Sequence, residues 1–151
     1  MNRFETWLAS SDFDVKVKTF PDGTRTATDA ARALGCELGQ IVKSLVFVAG
    51  GRPVVALVSG SNRLDEKLLG SAAGLPVAKA DAETARSSTG YSIGGVPPFG
   101  HQTSIPVFMD RDLLGHDVVW AAAGRPDSVF EIEPVRLREL SGATVLDLKV
   151  S

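Results

Sequence analysis

Along this chain the rhythm of apolar and polar positions changes repeatedly, and each change marks an element. Residues Arg3 to Ala9 read as a short helix, after which Val15 and Val17 alternate with Lys16 and Lys18 as in a strand with one wet face. Pro21, Asp22 and Gly23 form a turn; Thr26 or Thr28 then caps a helix carrying Ala27, Ala30, Ala31 and Leu34, with Gly35 as its stop. The runs Ser44 to Val48 and Val54 to Ser59 are apolar or β-branched. Separated by Ala49, Gly50, Gly51, Arg52 and Pro53, they predict a hairpin of central strands.

Leu64, Leu68 and Leu69 predict a helix over Asn62 to Ala73; a short strand around Val77 follows, and Asp81 caps a helix that ends near Ser88, before Gly90. Beyond a Gly/Pro-rich segment come strands at Ile105 to Met109, Val118 to Ala122, Val129 to Ile132 and Val145 to Leu148, with a helix from Pro134 to Leu140 before the last. Strands and helices interleave, yet hairpins are present, so the expected fold is α/β with a mixed sheet and flanking helices rather than a strictly parallel one. Residues 1–151 are expected to form one domain, since nothing in the pattern marks a linker, repeat or tail.

Composition narrows the function. The apolar runs fall far short of the roughly 18 residues a bilayer span needs, and Met1 to Ser10 lacks a continuous apolar signal region, so a cytoplasmic protein with no membrane partner is expected. Cys36 is the single cysteine, and with only His101 and His116 beside it a structural zinc site lacks ligands; no metal and no cofactor is expected. Cys36 reads as structural and His116 as a solvated turn residue. A net charge of −2 argues against a basic stripe for long nucleic acid, DNA included, so any RNA contact is expected to be local.

No dinucleotide fingerprint, Walker loop, nucleophile elbow or zinc-protease motif occurs, and the chemistry falls on two subtler features. The first is Thr89 to His101, whose centre Gly94-Gly95-Val96-Pro97-Pro98 combines close backbone approach with fixed φ. Such a loop is either a rigid connector or a cradle that holds a ligand by main chain. The second is Lys43, which interrupts the apolar run Ile41, Val42, Leu45, Val46, Phe47 and must either snorkel or meet an anion.

Gln40-Ile41-Val42-Lys43-Ser44-Leu45-Val46-Phe47 followed by the Gly94 to Pro98 loop resembles the YbaK/prolyl-tRNA synthetase editing-domain superfamily over nearly the whole chain. Val58-Ser59-Gly60, Asn62-Arg63-Leu64-Asp65 and Val119 to Gly124 support the likeness. The resemblance implies metal-free hydrolysis of the ester between a wrong amino acid and tRNA, with water attacking and the substrate's own ribose hydroxyl assisting. It implies Lys43 as the essential lysine at the tRNA 3′ end and Gly95 as a catalytic loop position, with Gly94, Val96, Pro97 and Pro98 holding the aminoacyl moiety. Thr26, Ser59, Asn62, His101 and Gly124 join them as expected binding residues, although caps and turns also explain such positions. The implied partners are a mischarged tRNA acceptor end and, in addition, an aminoacyl-tRNA synthetase.

Where several relatives carry a serine and an aspartate, this chain has Ala122 and Val129, so their amino-acid specificity does not transfer. The expected substrates are small: alanine, serine, threonine or cysteine. A non-catalytic tRNA- or synthetase-binding module and a small-ester hydrolase remain the alternatives.

Overall fold

The computed structural model describes residues 3–11, 13, 15–20 and 26–151. The turn expected at Pro21 to Gly23 lies outside these residues. Helix α1 (Arg3–Ala9) and strand β1 (Val17–Thr19) precede helix α2 (Ala27–Leu34). Thr26 caps α2 by accepting from the Asp29 amide, and Gly35 ends it at φ 67°.

Strands β2 (Val42–Ala49) and β3 (Arg52–Ser59) form the antiparallel hairpin, closed by Gly50 and Gly51 at φ 58° and 82°. Two consecutive positive φ values are what a tight I′ turn requires, which is why β2 runs one residue and β3 two residues closer to the turn than their apolar runs suggest. Pro53 is tolerated inside β3 because it faces Val48, and the ladder phase set by the Gly60 amide donating to the Ile41 carbonyl makes that pair a non-hydrogen-bonded one.

Helix α3 (Glu66–Ala73) begins later than the leucine spacing predicts, because the Asp65 carboxylate caps it through the Lys67 and Leu68 amides. Asn62 and Leu64 therefore lie in the preceding loop. Strand β4 (Val77–Lys79), helix α4 (Ala82–Thr89, capped by Asp81) and strand β5 (Val107–Asp110) come next. Strands β6 (Val119–Ala122) and β7 (Ser128–Ile132), helix α5 (Pro134–Ser141) and strand β8 (Thr144–Leu146) complete the order.

The strands fall into two sheets rather than one. A mixed sheet has the order β4-β2-β3-β5-β8, with β2 antiparallel to β3 and β4, and β5 parallel to both β3 and β8; a smaller antiparallel sheet has the order β1-β7-β6. The central strand β3 is covered on both faces. Val55 and Leu57 enter a core shared with Val119, Ala121 and Phe130 of the small sheet, while Val54, Ala56 and Val58 enter a second core with Leu69 of α3 and Leu148. This two-faced burial explains why β3 reads as a continuous apolar run instead of an alternating one. No helix among the described residues is long and apolar enough to cross a membrane.

Candidate active site

The functional cleft forms where β2 loses its neighbour. β4 pairs with Phe47, Val48 and Ala49, and an isolated parallel bridge joins Ile41 to Trp120 of β6, so between these two contacts Lys43 to Leu45 have no strand on that edge among the described residues. By the ladder alternation, the main-chain N–H and C=O of Ser44 point to this open edge. The Ser44 hydroxyl is also buried without a hydrogen-bond partner. An open edge and an orphaned hydroxyl together leave polar capacity unused beside the cavity.

Two lobes meet along Lys43, Ser44 and Leu45. One, of about 290 Å³, lies toward α2 and the small sheet and is walled by Thr26, Ala30, Trp120, Ala122 and Val129. The other, of about 340 Å³, lies toward α3 and α4 and includes Asn62, Arg63, Glu66 and Lys79. Ile93 and Val96 border both lobes. Ala122 and Val129 are cross-strand partners on one wall of the first lobe. Lys43 is the single ionisable side chain among the described residues of that lobe's lining.

The loop that closes the cleft is irregular but held. The Gly95 amide donates to the Ser92 carbonyl, forming a turn with Gly94 at φ 89°. A side chain at Gly95 would sit 2.8 Å from the Arg125 Cα, so main chain packs on main chain there. Further along, Phe99 inserts among Phe4, Trp7, Phe13 and Phe130, with ring centroids 5.0 Å from Trp7 and 5.7 Å from Phe130. The Tyr91 hydroxyl donates to the Gly100 carbonyl at 2.6 Å, and His101 Nε2 donates to the Pro97 carbonyl at 2.7 Å. Burial lowers the His101 pKa, with the Pro97 bond opposing it, so near neutral pH the ring is the uncharged Nε2–H tautomer. Burial likewise pushes the Tyr91 phenol up to about 12, which keeps it a donor, against a lowering influence of Arg3.

Lys43 Nζ donates to the Asn62 carbonyl at 2.6 Å. Partial burial lowers its pKa below the ordinary lysine value, and the negative charge of Asp110 works in the opposite direction.

The structure thus brings Lys43, Thr26, Gly94 and Val96 to the first lobe, and Lys43, Asn62 and Val96 to the second. The other expected residues do not line either lobe. Ser59 is 1% exposed and spends its hydroxyl on the Gly39 carbonyl. Gly95, Pro97 and Pro98 lie buried behind the lining, His101 supports the loop from its far side, and Gly124 shapes the turn whose Arg125 backbone meets Gly95. His116 is half-buried against Gly39 rather than fully solvated, 3.8 Å from Glu37. Ser44, Ile93 and Trp120 were not foreseen as lining. Ser44 follows Lys43 directly, and both residues line both lobes, so one strand serves the two.

The model of the aminoacyl-tRNA editing domain matches residues 21–140. The chain belongs to that family. Deacylation of aminoacyl-tRNA is therefore the reaction class of its family, and the editing domain's α/β architecture is the one observed. A crystal structure of a candidate trans-editing enzyme for prolyl-tRNA synthetase superposes with a TM-score of 0.94 at 47% identity, covering 99% of this chain and 96% of that one. Among curated relatives, the uncharacterized YwhH of Bacillus subtilis is 31% identical over 143 residues, 94% of this chain and 88% of YwhH. The candidate Cys-tRNA(Pro)/Cys-tRNA(Cys) deacylase EbsC of Enterococcus faecalis is 29% identical over 125 residues, 82% of this chain and 76% of EbsC.

Proposed function

We propose that the protein is a free-standing trans-editing deacylase that hydrolyses the ester between a small, wrong amino acid and the 3′ end of tRNA. The observation that carries this reading is the convergence of Lys43, the open edge of β2 and the Ile93 to Val96 turn at the junction of two lobes. The first lobe takes the aminoacyl group. The second, with Lys43, Arg63 and Lys79 among its lining, takes the terminal nucleotide and its phosphate. The ester then lies at Lys43.

The first lobe's described lining offers no cysteine, histidine or carboxylate, which favours direct attack by water, assisted by the ribose hydroxyl of the substrate. An activated ester needs orientation and a donor for the developing oxyanion more than a strong base, and one preorganised donor is worth about 10²- to 10³-fold. In this reading the ammonium of Lys43 and the N–H and hydroxyl of Ser44 supply it. Ala122 and Val129 leave the aminoacyl wall apolar, so the side chain is chosen by size, in the manner of a second sieve. A cytoplasmic location and contact with a prolyl-type synthetase go with this activity.

Purified protein is tested against tRNAPro and tRNAAla carrying alanine, serine, threonine or cysteine, beside Lys43→Ala. The expected result is release of at least one amino acid by the wild type and none above background by the variant. Release of nothing from any tRNA overturns the reading and favours a binding module; faster release of a large amino acid than of alanine or serine overturns the size sieve.

A further inference from the structure

We propose that Asn62 and Asp110, backed by Asp112 and Lys149, are positioning residues that fix the Lys43 ammonium at the lobe junction. This rests on the role given to Lys43 above. The lysine is seated by one main-chain acceptor, the Asn62 carbonyl, which leaves two of its three N–H donors for substrate. Everything about Asn62 immobilises that carbonyl. Its side-chain amide donates both hydrogens, to Asp110 Oδ2 at 2.8 Å and to Asp112 Oδ2 at 2.9 Å. Its main-chain N–H donates to the Ser59 carbonyl at 2.9 Å.

Asp110 is 1% exposed at the carboxyl end of β5, and both of its oxygens are used: Oδ2 also accepts from the Ser59 amide at 3.1 Å, and Oδ1 from the Asp112 amide at 3.0 Å. Lys149 Nζ closes the array on Asp112 Oδ2 at 2.8 Å. The residues after Asn62 are stitched to the C-terminal segment as well, by Val150 N–H to the Arg63 carbonyl at 2.8 Å and Asp65 N–H to the Leu148 carbonyl at 2.7 Å. A flexible lysine stem gains a defined end point only from such an array, and misplacing a reacting group by about 1 Å costs on the order of 100-fold.

Asp110 acts on Lys43 by charge as well as by tether, raising a pKa that burial lowers. The other charges around Lys43 are Arg63, Glu66 and Lys79 in the same lobe, with Asp112 and Lys149 further along the network. Removing the Asp110 charge leaves Lys43 to lose its proton at lower pH, and the alkaline limb of kcat shifts the same way.

The test titrates Lys43 Nζ by NMR in protein carrying 15N-lysine, the signal being identified by its absence in Lys43→Ala, and measures deacylation over pH with spontaneous ester hydrolysis subtracted. Asp110→Asn and Asn62→Ala are expected to lower kcat by about 10- to 100-fold with little change in KM, and Asp110→Asn to move the Lys43 midpoint down. Lys149→Met, at the exposed end of the array, reads a smaller fall in kcat in a protein that folds even where Asp110→Asn does not. Unchanged kcat in Asn62→Ala and Lys149→Met overturns the proposal, as does an unmoved midpoint in folded Asp110→Asn. Full activity of Lys43→Ala overturns instead the role of Lys43 in the reaction, while the midpoint still reports on the array.

Discussion

Gly95 carries no side chain because a backbone occupies the space one would fill. A Cβ there would lie 2.8, 2.9 and 3.0 Å from the Cα, C and N of Arg125, all main-chain atoms of a turn that cannot swing aside as a side chain would. Gly95→Ala is therefore expected to destabilise the fold by about 1–3 kcal/mol and to push the Gly94 to Val96 segment into the cleft, cutting deacylation. Thermal unfolding and kcat are the measurements, with Gly115→Ala as the control, since nothing lies within 4 Å of a Cβ at that position. If Gly95→Ala melts and turns over like the control, loop and turn do not touch in solution. At this scale the sequence was most readable where the cause is local. Thr26 and Asp81 cap helices with their own side chains, and Gly35 and Gly90 end them in the left-handed region. It was least readable for Ser59, Asp110 and His101, whose partners are decided by packing at long range or across a loop.

The element that decides the site is the segment from Tyr91 to Gly100, which has no helix or strand of its own and takes its shape from what it is anchored to. Its Pro97 and Pro98 withhold amide donors, so side chains do the holding: Tyr91, His101 and above all Phe99, which packs against four aromatic rings. The glycines and prolines announced a stiff loop; they gave no sign of which residues face the cleft, because that depends on Phe99 burying itself beside α1 and β7. Phe99→Ala is expected to cost about 3–5 kcal/mol through the cavity it leaves. Activity should fall further than the loss of folded protein accounts for, since the loop is freed as well. Specific activity per folded molecule, with the folded fraction taken from urea unfolding, separates the two effects. An unchanged specific activity would mean that the loop keeps its shape without its anchor. Phe99→Leu, which keeps most of the apolar volume, should recover much of both.

For the whole molecule, the alternation of strands and helices was sufficient for the α/β class and the β2–β3 hairpin, but not for the division into two sheets. β1, β6 and β7 look no different in pattern from the strands of the mixed sheet, and pairing partners far apart in sequence are not encoded in a strand's own residues. That division is what makes the cleft: with the small sheet on one side and α3 on the other, the open edge of β2 is left between them. Charge follows the same geometry. The protein carries a net −2, yet Lys43, Arg63 and Lys79 gather at the second lobe, with Glu66 as the opposing charge in its lining and Asp110 behind Lys43. A tRNA held this way meets few cations, and for about three single-strand phosphate contacts log(kcat/KM) should fall with log[salt] at a slope of about −2. Between 50 and 200 mM salt that is roughly a 15-fold loss for aminoacyl-tRNA, against almost none for a free aminoacyl ester, which has no phosphate to offer. A much steeper slope would mean that the tRNA body rests on basic surface outside the cleft. Equal, flat responses for both substrates would mean that the protein acts on small esters and that the cations at the second lobe serve no nucleotide. A flat response confined to the tRNA substrate of Arg63→Ala and Lys79→Ala would assign the phosphate to those two side chains and leave Lys43 free for the ester.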